Sequence, residues 1–265
     1  MRALVFLLCL AAGGALAQSG VEVQKSRLLL LPASTVERSA AQQYGAMMRE
    51  AAQKGLLNND RQQVERLRNI ARQLIPQSTR FNPNAEKWRW EVNLISSKSV
   101  NAFCMPGGKI AFFTGIIDQL QLTDAEVAAI MGHEIAHALL EHGRARMSQQ
   151  LLKSAGVSIA AAVFNLGQLS AELLNQAAGL AISLPYARKQ ETDSDLVGME
   201  LAARAGYDPR AAADVWRKMT KLTQAAGKGQ PPQFLSTHPG HESRIRDIEA
   251  NLPKVLPLHD AVRRK

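Results

Sequence analysis

The chain has 265 residues, 46% hydrophobic and 21% charged, with two cysteines and a formal charge of +9. That composition supports a packed core and excludes an intrinsically disordered chain, a collagen, a disulfide scaffold and a multi-span membrane protein. The charge is unevenly placed: residues 18–100 and 201–265 each carry +6 while residues 101–200 carry −4, and no helix of that acidic middle third shows the Lys/Arg stripe with interleaved aromatics that a nucleic-acid face needs.

Residues 1–17 have the three parts of a secretory signal: Arg2, an uncharged run from Ala3 to Leu16, and the small-x-small site Ala15-Leu16-Ala17. The expectation is export, cleavage before Gln18, and one domain over residues 18–265. Cleavage would carry Cys9 away and leave Cys104 as the remaining thiol, so no intrachain disulfide is expected. Ser34 reads as the N-cap of a helix that presents Val36, Ala40, Tyr44, Met47, Met48 and Ala51 on one face and ends at Gly55. Asp60 opens a second helix, with Val64, Leu67, Ile70, Ala71 and Leu74 on its apolar face and Pro76 as its stop. The two are expected to pair as a helical hairpin.

Trp88 to Leu94 alternates at period two and reads as a strand, and Ile110 to Phe113, entered through Pro106-Gly107-Gly108, reads as another. Thr123 and Glu126 form a capping-box signature for a helix running to about His142, with Gly143 as its stop. Ala155 to Gly167 and Ala177 to Leu184 are alanine-rich, but Asn165, Gln168, Glu172, Asn175 and Gln176 interrupt them, so they read as packed helices and not as membrane spans. Asp208-Pro209 opens another amphipathic helix, Gly227 to Pro232 forms a loop, and a last short helix carries Ile245, Ile248 and Leu252.

The chemistry concentrates in His133-Glu134-Ile135-Ala136-His137, in the middle of the capped helix. At 100° per residue the two histidines fall about 40° apart, one turn from each other on the same face, where they can share one ion. Neutral imidazoles suit zinc, and Glu134 is placed to deprotonate a water. A third histidine of the downstream type would require Gly at 140 and His at 143, and those positions are Leu140 and Gly143. On a continuous helix His142 faces the opposite way and reads as a cation at the helix C-terminus. Glu191 and Asp195, at i and i+4 of a further helix, are either solvated ion-pair formers or a zinc ligand and the partner of a ligand histidine.

Asn101-Ala102-Phe103, Pro106-Gly107-Gly108, Gly132 to His137, Glu191 with Asp195, and Thr237-His238-Pro239 followed by Arg244-Ile245 occur here in one order. Together they resemble peptidase family M48, in its exported BepA-like, LoiP-like and Oma-like branch, over roughly residues 35–250. The resemblance implies an α+β, predominantly helical, zincin-like fold of the gluzincin type, with a small sheet beside the active-site helix. It implies one Zn2+ held by His133, His137 and Glu191, Glu134 as catalytic base, Asp195 behind a ligand histidine, and His238 and Arg244 as candidates for stabilising the oxyanion.

The activity expected is zinc-dependent endoproteolysis of unfolded or misassembled envelope proteins in the periplasm, with peripheral association to the outer membrane and no nucleic-acid partner. The strand from Gly107 to Phe113 is expected to pair with the extended substrate, and His238 to occupy the open position of the zinc in a resting state. A zinc ion is expected to be the one cross-link between the two central helices. The rival readings are a non-catalytic assembly factor with a structural zinc, and a binder of anionic membranes through the basic flanks.

Overall fold

The computed structural model describes residues 20–23, 28–165, 186–225, 231–240 and 242–264. The expected signal, the segment 177–184 and most of the expected 227–232 loop lie outside the described residues. Helix α1 (Ala33–Gln53) starts one residue before the expected cap, because the extended Pro32 gives its carbonyl to the Thr35 and Val36 amides. Helix α2 (Arg61–Leu74) is capped as the sequence suggests, with the Asp60 carboxylate accepting from the Gln63 amide, and two 3-10 turns follow it (Ile75–Arg80 and Pro83–Lys87).

Three strands come next: β1 (Glu91–Ile95), β2 (Ala102–Met105) and β3 (Lys109–Phe113). Strand β3 lies in the middle, parallel to β1 and antiparallel to β2. This corrects the expectation that the 107–113 strand receives the substrate: both of its edges are already paired, and β1 and β2 are the outer strands, of which β2 lines the cleft described below. The expected helical hairpin does not form either. Tyr44, Met48 and Ala51 of α1 pack with Ile95, Met105 and Ala111, whereas Val64, Leu67 and Ile70 of α2 pack with Leu94, Ile110 and Phe112. Side chains alternate across a strand, so the sheet separates the two helices.

After α3 (Thr114–Leu120) comes α4 (Asp124–Leu139), which opens on a complete capping box between Thr123 and Glu126 and is buried from Glu126 to Leu139. The chain turns at Leu140 and Glu141, the latter at φ 57°, and restarts as α5 (His142–Asn165). Among the described residues no helix is long and apolar enough to cross a membrane.

Helix α6 (Arg188–Arg204) crosses α4 at two glycines. A Cβ on Gly132 would stand 2.7 Å from the Gly198 carbonyl oxygen, and one on Gly198 would stand 2.5 Å from the His133 amide nitrogen. Neither distance admits a side chain, so the two helices meet backbone to backbone. A zinc ion is therefore not the one tie between them. Helix α7 (Ala211–Ala225) and the short α8 (Gln233–Thr237) follow, and the final helix α9 (Glu242–Arg263) runs far past the short helix expected, despite Pro253 and Pro257 inside it. Pro257 sits four residues after Pro253, so the amide it lacks would have served the Pro253 carbonyl, and the two interruptions fall on one stretch of helix.

Candidate metal and catalytic centre

Fixing the start of α4 by its capping box and its depth by the glycine crossing puts His133 and His137 opposite Glu191 and Asp195 of α6. The Nδ1 of His133 lies 3.0 Å from Asp195 Oδ1, which accepts the ring N–H and leaves the Nε2 lone pair free. The Nε2 of His137 lies 3.0 Å from His133 Nε2 and 3.4 Å from Glu191 Oε1. His238, at the end of α8, brings Nδ1 to 3.2 Å from both His133 Nε2 and Glu191 Oε1. Its segment is pinned by the Phe234 amide donating to the Val100 carbonyl and the Tyr186 amide donating to the Thr237 carbonyl.

The four donor atoms all lie within 4.8 Å of one another and all four residues are buried. Donors bound to one tetrahedral zinc at about 2.0–2.2 Å would stand about 3.3–3.6 Å apart, close to the spacings seen here. Imidazole nitrogens and a carboxylate oxygen crowded this way repel one another unless a cation joins them, and the donor set fits zinc.

The protonation states follow from the surroundings. Burial drives the His137 ring well below the usual imidazole range, so it stays a neutral donor. Burial pushes His133 in the same direction, but the Asp195 carboxylate outweighs it and the net movement is upward. For Glu191 burial acts upward, and the His238 and His137 rings overcome it, holding the carboxyl well below its usual range. Glu134 moves the other way, raised by burial. The Cys104 backbone of strand β2 acts on it weakly in the opposite direction. The Glu134 Oε1 is buried without a hydrogen bond among the described residues, although His238 Nε2 is 3.3 Å away. A buried, underused carboxylate oxygen beside the donor cluster has the character of a base.

Two positions differ from expectation. Arg244 does not offer a donor to the cleft: Nε and Nη2 each donate to Asp195 at 2.7 Å, Nη1 donates to Glu191 Oε2 at 2.5 Å, and the guanidinium carbon stacks 3.7 Å from the Trp216 ring centroid. It positions the carboxylates that orient and complete the donor set. His142 is not a helix-end cation. The turn at Glu141 re-aims it, so that its Nδ1 lies 3.0 Å from His137 Nδ1 and 3.3 Å from Ser194 Oγ. Burial lowers it to about 3, and the neutral ring accepts the His137 N–H. Each central histidine thus has its own acceptor, Asp195 for one and His142 for the other. Gly143 signalled a helix end in the sequence, but Leu140 and Glu141, three and two residues before it, make the turn.

A cleft of about 250 Å³ opens over Glu134 and His238. Its walls include Ala102 to Met105 of β2, Val36 and Ala40 of α1, Met147 and Arg146 of α5, and Tyr186. Cys104 is a free, buried thiol in this wall, and burial raises it well above the usual thiol range, so it is a packing residue.

The profile of peptidase family M48 matches residues 61–252. The chain belongs to peptidase family M48. M48 enzymes are zinc metallopeptidases of the zincin-like type, and the His133, His137, Glu191 and His238 cluster can hold the metal. Similar proteins include the "Mitochondrial metalloendopeptidase OMA1" of Schizosaccharomyces pombe, 38% identical over 167 residues that cover 63% of this chain and 48% of that protein. The "Metalloendopeptidase OMA1, mitochondrial" of Homo sapiens is 28% identical over 244 residues, 89% of this chain and 46% of the relative. The "Beta-barrel assembly-enhancing protease" of Escherichia coli is 27% identical over 187 residues, 66% and 37% of the two chains. The chain spans about half or less of the length of these M48 relatives.

Proposed function

We propose that this M48 protein is an exported zinc metalloendopeptidase that cuts extended segments of unfolded or misassembled envelope proteins. The observation that carries the reading is Glu134: a buried carboxylate with one unbonded oxygen, beside the donor cluster and against the edge strand of the cleft. An extended peptide adding to the outer edge of β2 would carry its backbone past Glu134. When bound, zinc polarises the carbonyl to be cut and lowers the pKa of water toward about 7. Glu134, its affinity for a proton raised by burial, takes a proton from the attacking water and returns it to the departing amine nitrogen. Asp195 and His142 hold the two central histidines in the tautomers that leave Nε2 free at His133 and a ring proton on Nδ1 at His137.

His238 is the fourth donor in a resting form, and its place 3.2 Å from both His133 and Glu191 supports that role. His238→Ala should then raise the rate of peptide cleavage. Export and a periplasmic site of action rest on residues 1–17, and peripheral attachment to the outer membrane rests on the basic flanks. Glu134→Gln tests the peptidase reading: cleavage of casein should fall by about 10²–10⁴-fold with zinc content unchanged. Cleavage at the wild-type rate would instead favour an assembly factor with a structural zinc.

A further inference from the structure

With Arg244 turned away from the cleft, Tyr186 is a further side chain of the cleft wall that carries a hydrogen-bond donor. Its ring centroid is 3.8 Å from that of the ligand histidine His137, tilted by 31°, and the Arg146 guanidinium carbon is 3.5 Å from the same centroid. Two groups so close to one ring centre cannot share a face, so the ring is held between imidazole and guanidinium. The backbone of Tyr186 is tied to Thr237, and its ring centroid is 5.2 Å from that of His238. With both faces covered, what the residue can present to the cleft is its edge, and it lines the same cavity as Glu134 and His238.

The geometry points to Tyr186 as a catalytic residue that donates its phenol O–H to the carbonyl oxygen of the scissile bond as charge develops there. The inference rests on the peptidase reading above. A phenol keeps its proton at neutral pH, as a donor must. A fixed donor directed at charge that exists only on the way through the reaction stabilises that stage more than bound substrate. Arg146 acts through Tyr186, covering its ring and holding it beside His137, and is a positioning residue.

The test is Tyr186→Phe in the mature, zinc-loaded protein, since phenylalanine keeps the ring between its neighbours and removes only the hydroxyl. The expected result is a fall in kcat of about 10²-fold, KM within about twofold, and unchanged zinc content. A phosphinate peptide, which imitates the tetrahedral arrangement, should bind about 10²-fold more weakly by calorimetry, while the matching product peptide should bind equally well. In an Arg146→Gln background the effect of Tyr186→Phe should shrink to within about threefold. Full kcat in Tyr186→Phe, equal phosphinate affinity in the two proteins, or loss confined to KM would each overturn the assignment. Wild-type protein that cleaves nothing, alongside a Glu134→Gln variant indistinguishable from it, is a failure of the peptidase reading, and the phosphinate comparison still decides the role of Tyr186.

Discussion

Arg244→Gln removes a guanidinium that makes three short charged hydrogen bonds to two buried carboxylates, Glu191 at 1% and Asp195 at 5% side-chain exposure. Breaking a buried ion pair by deleting one partner costs about 3–5 kcal/mol, because the charge left behind has neither water nor a counterion. For a chain of this size each kcal/mol lowers Tm by about 2–4 °C, so the metal-free variant should melt about 6–20 °C below the metal-free wild type. Zinc changes the sum in a particular direction. With the ion bound, Glu191 keeps a positive partner, and Asp195 keeps the His133 and Trp216 ring N–H donors at 3.0 and 3.3 Å. The loss in the zinc-loaded protein should therefore be about half as large. Scanning calorimetry of both proteins, stripped and reloaded, measures the four Tm values. Equal losses with and without zinc, or a loss under about 2 °C in the stripped protein, would refute the role given to Arg244.

Gly198→Ala places a methyl 2.5 Å from the His133 amide nitrogen, and about 1–3 kcal/mol of overpacking outweighs the roughly 1 kcal/mol that alanine gains in helix propensity; denaturant midpoints should fall and zinc affinity should drop at least tenfold. His142→Ala removes the acceptor of the His137 ring proton and should weaken zinc binding by about 10–100-fold in a chelator competition, with the fold intact by circular dichroism. Acid should act on the metal-free protein through Asp195 and Glu191, whose folded pKa values lie below their ordinary ones: their stabilisation is fully present above about pH 4–5 and is lost as pH falls through the folded values. Asp195→Asn should thus be less stable at pH 7 yet show a flatter loss of stability below pH 4 in urea titrations.

The parts of the centre that depend on neighbours along the chain were legible in the residues. The capping box at Thr123 and Glu126 and the one-turn spacing of His133 and His137 are local, and hydrogen bonding within a single helix decides them. The same holds for Glu191 and Asp195 on one face of α6. What the residues conceal is set by distant partners. Strand β2 reads Ala-Phe-Cys-Met and buries both Cys104 and Met105, so it lacks the period-two alternation that marks a half-buried strand. The central place of β3 depends on pairing with β1 and β2, which no pattern within β3 reveals. Arg244 reads equally well as a cleft residue until its carboxylate partners, 49 and 53 positions away, are brought against it. The turn at Glu141 uses a left-handed backbone without glycine or asparagine, so nothing in its composition announced that His142 would face inward.

The contact between Gly132 and Gly198 sets a gauge for the site. Peptide groups of the two ligand-bearing helices already touch, so the helices have no room to draw closer around an ion, and the pocket's span belongs to the main chain. An ion of a different radius must be met by swinging imidazoles and carboxylate, while the scaffold stays as it is. Stripping and reloading then become a matter of deprotonating ligands and admitting the ion, with no folding step between them, which sets this centre apart from the small zinc domains that assemble only around their metal.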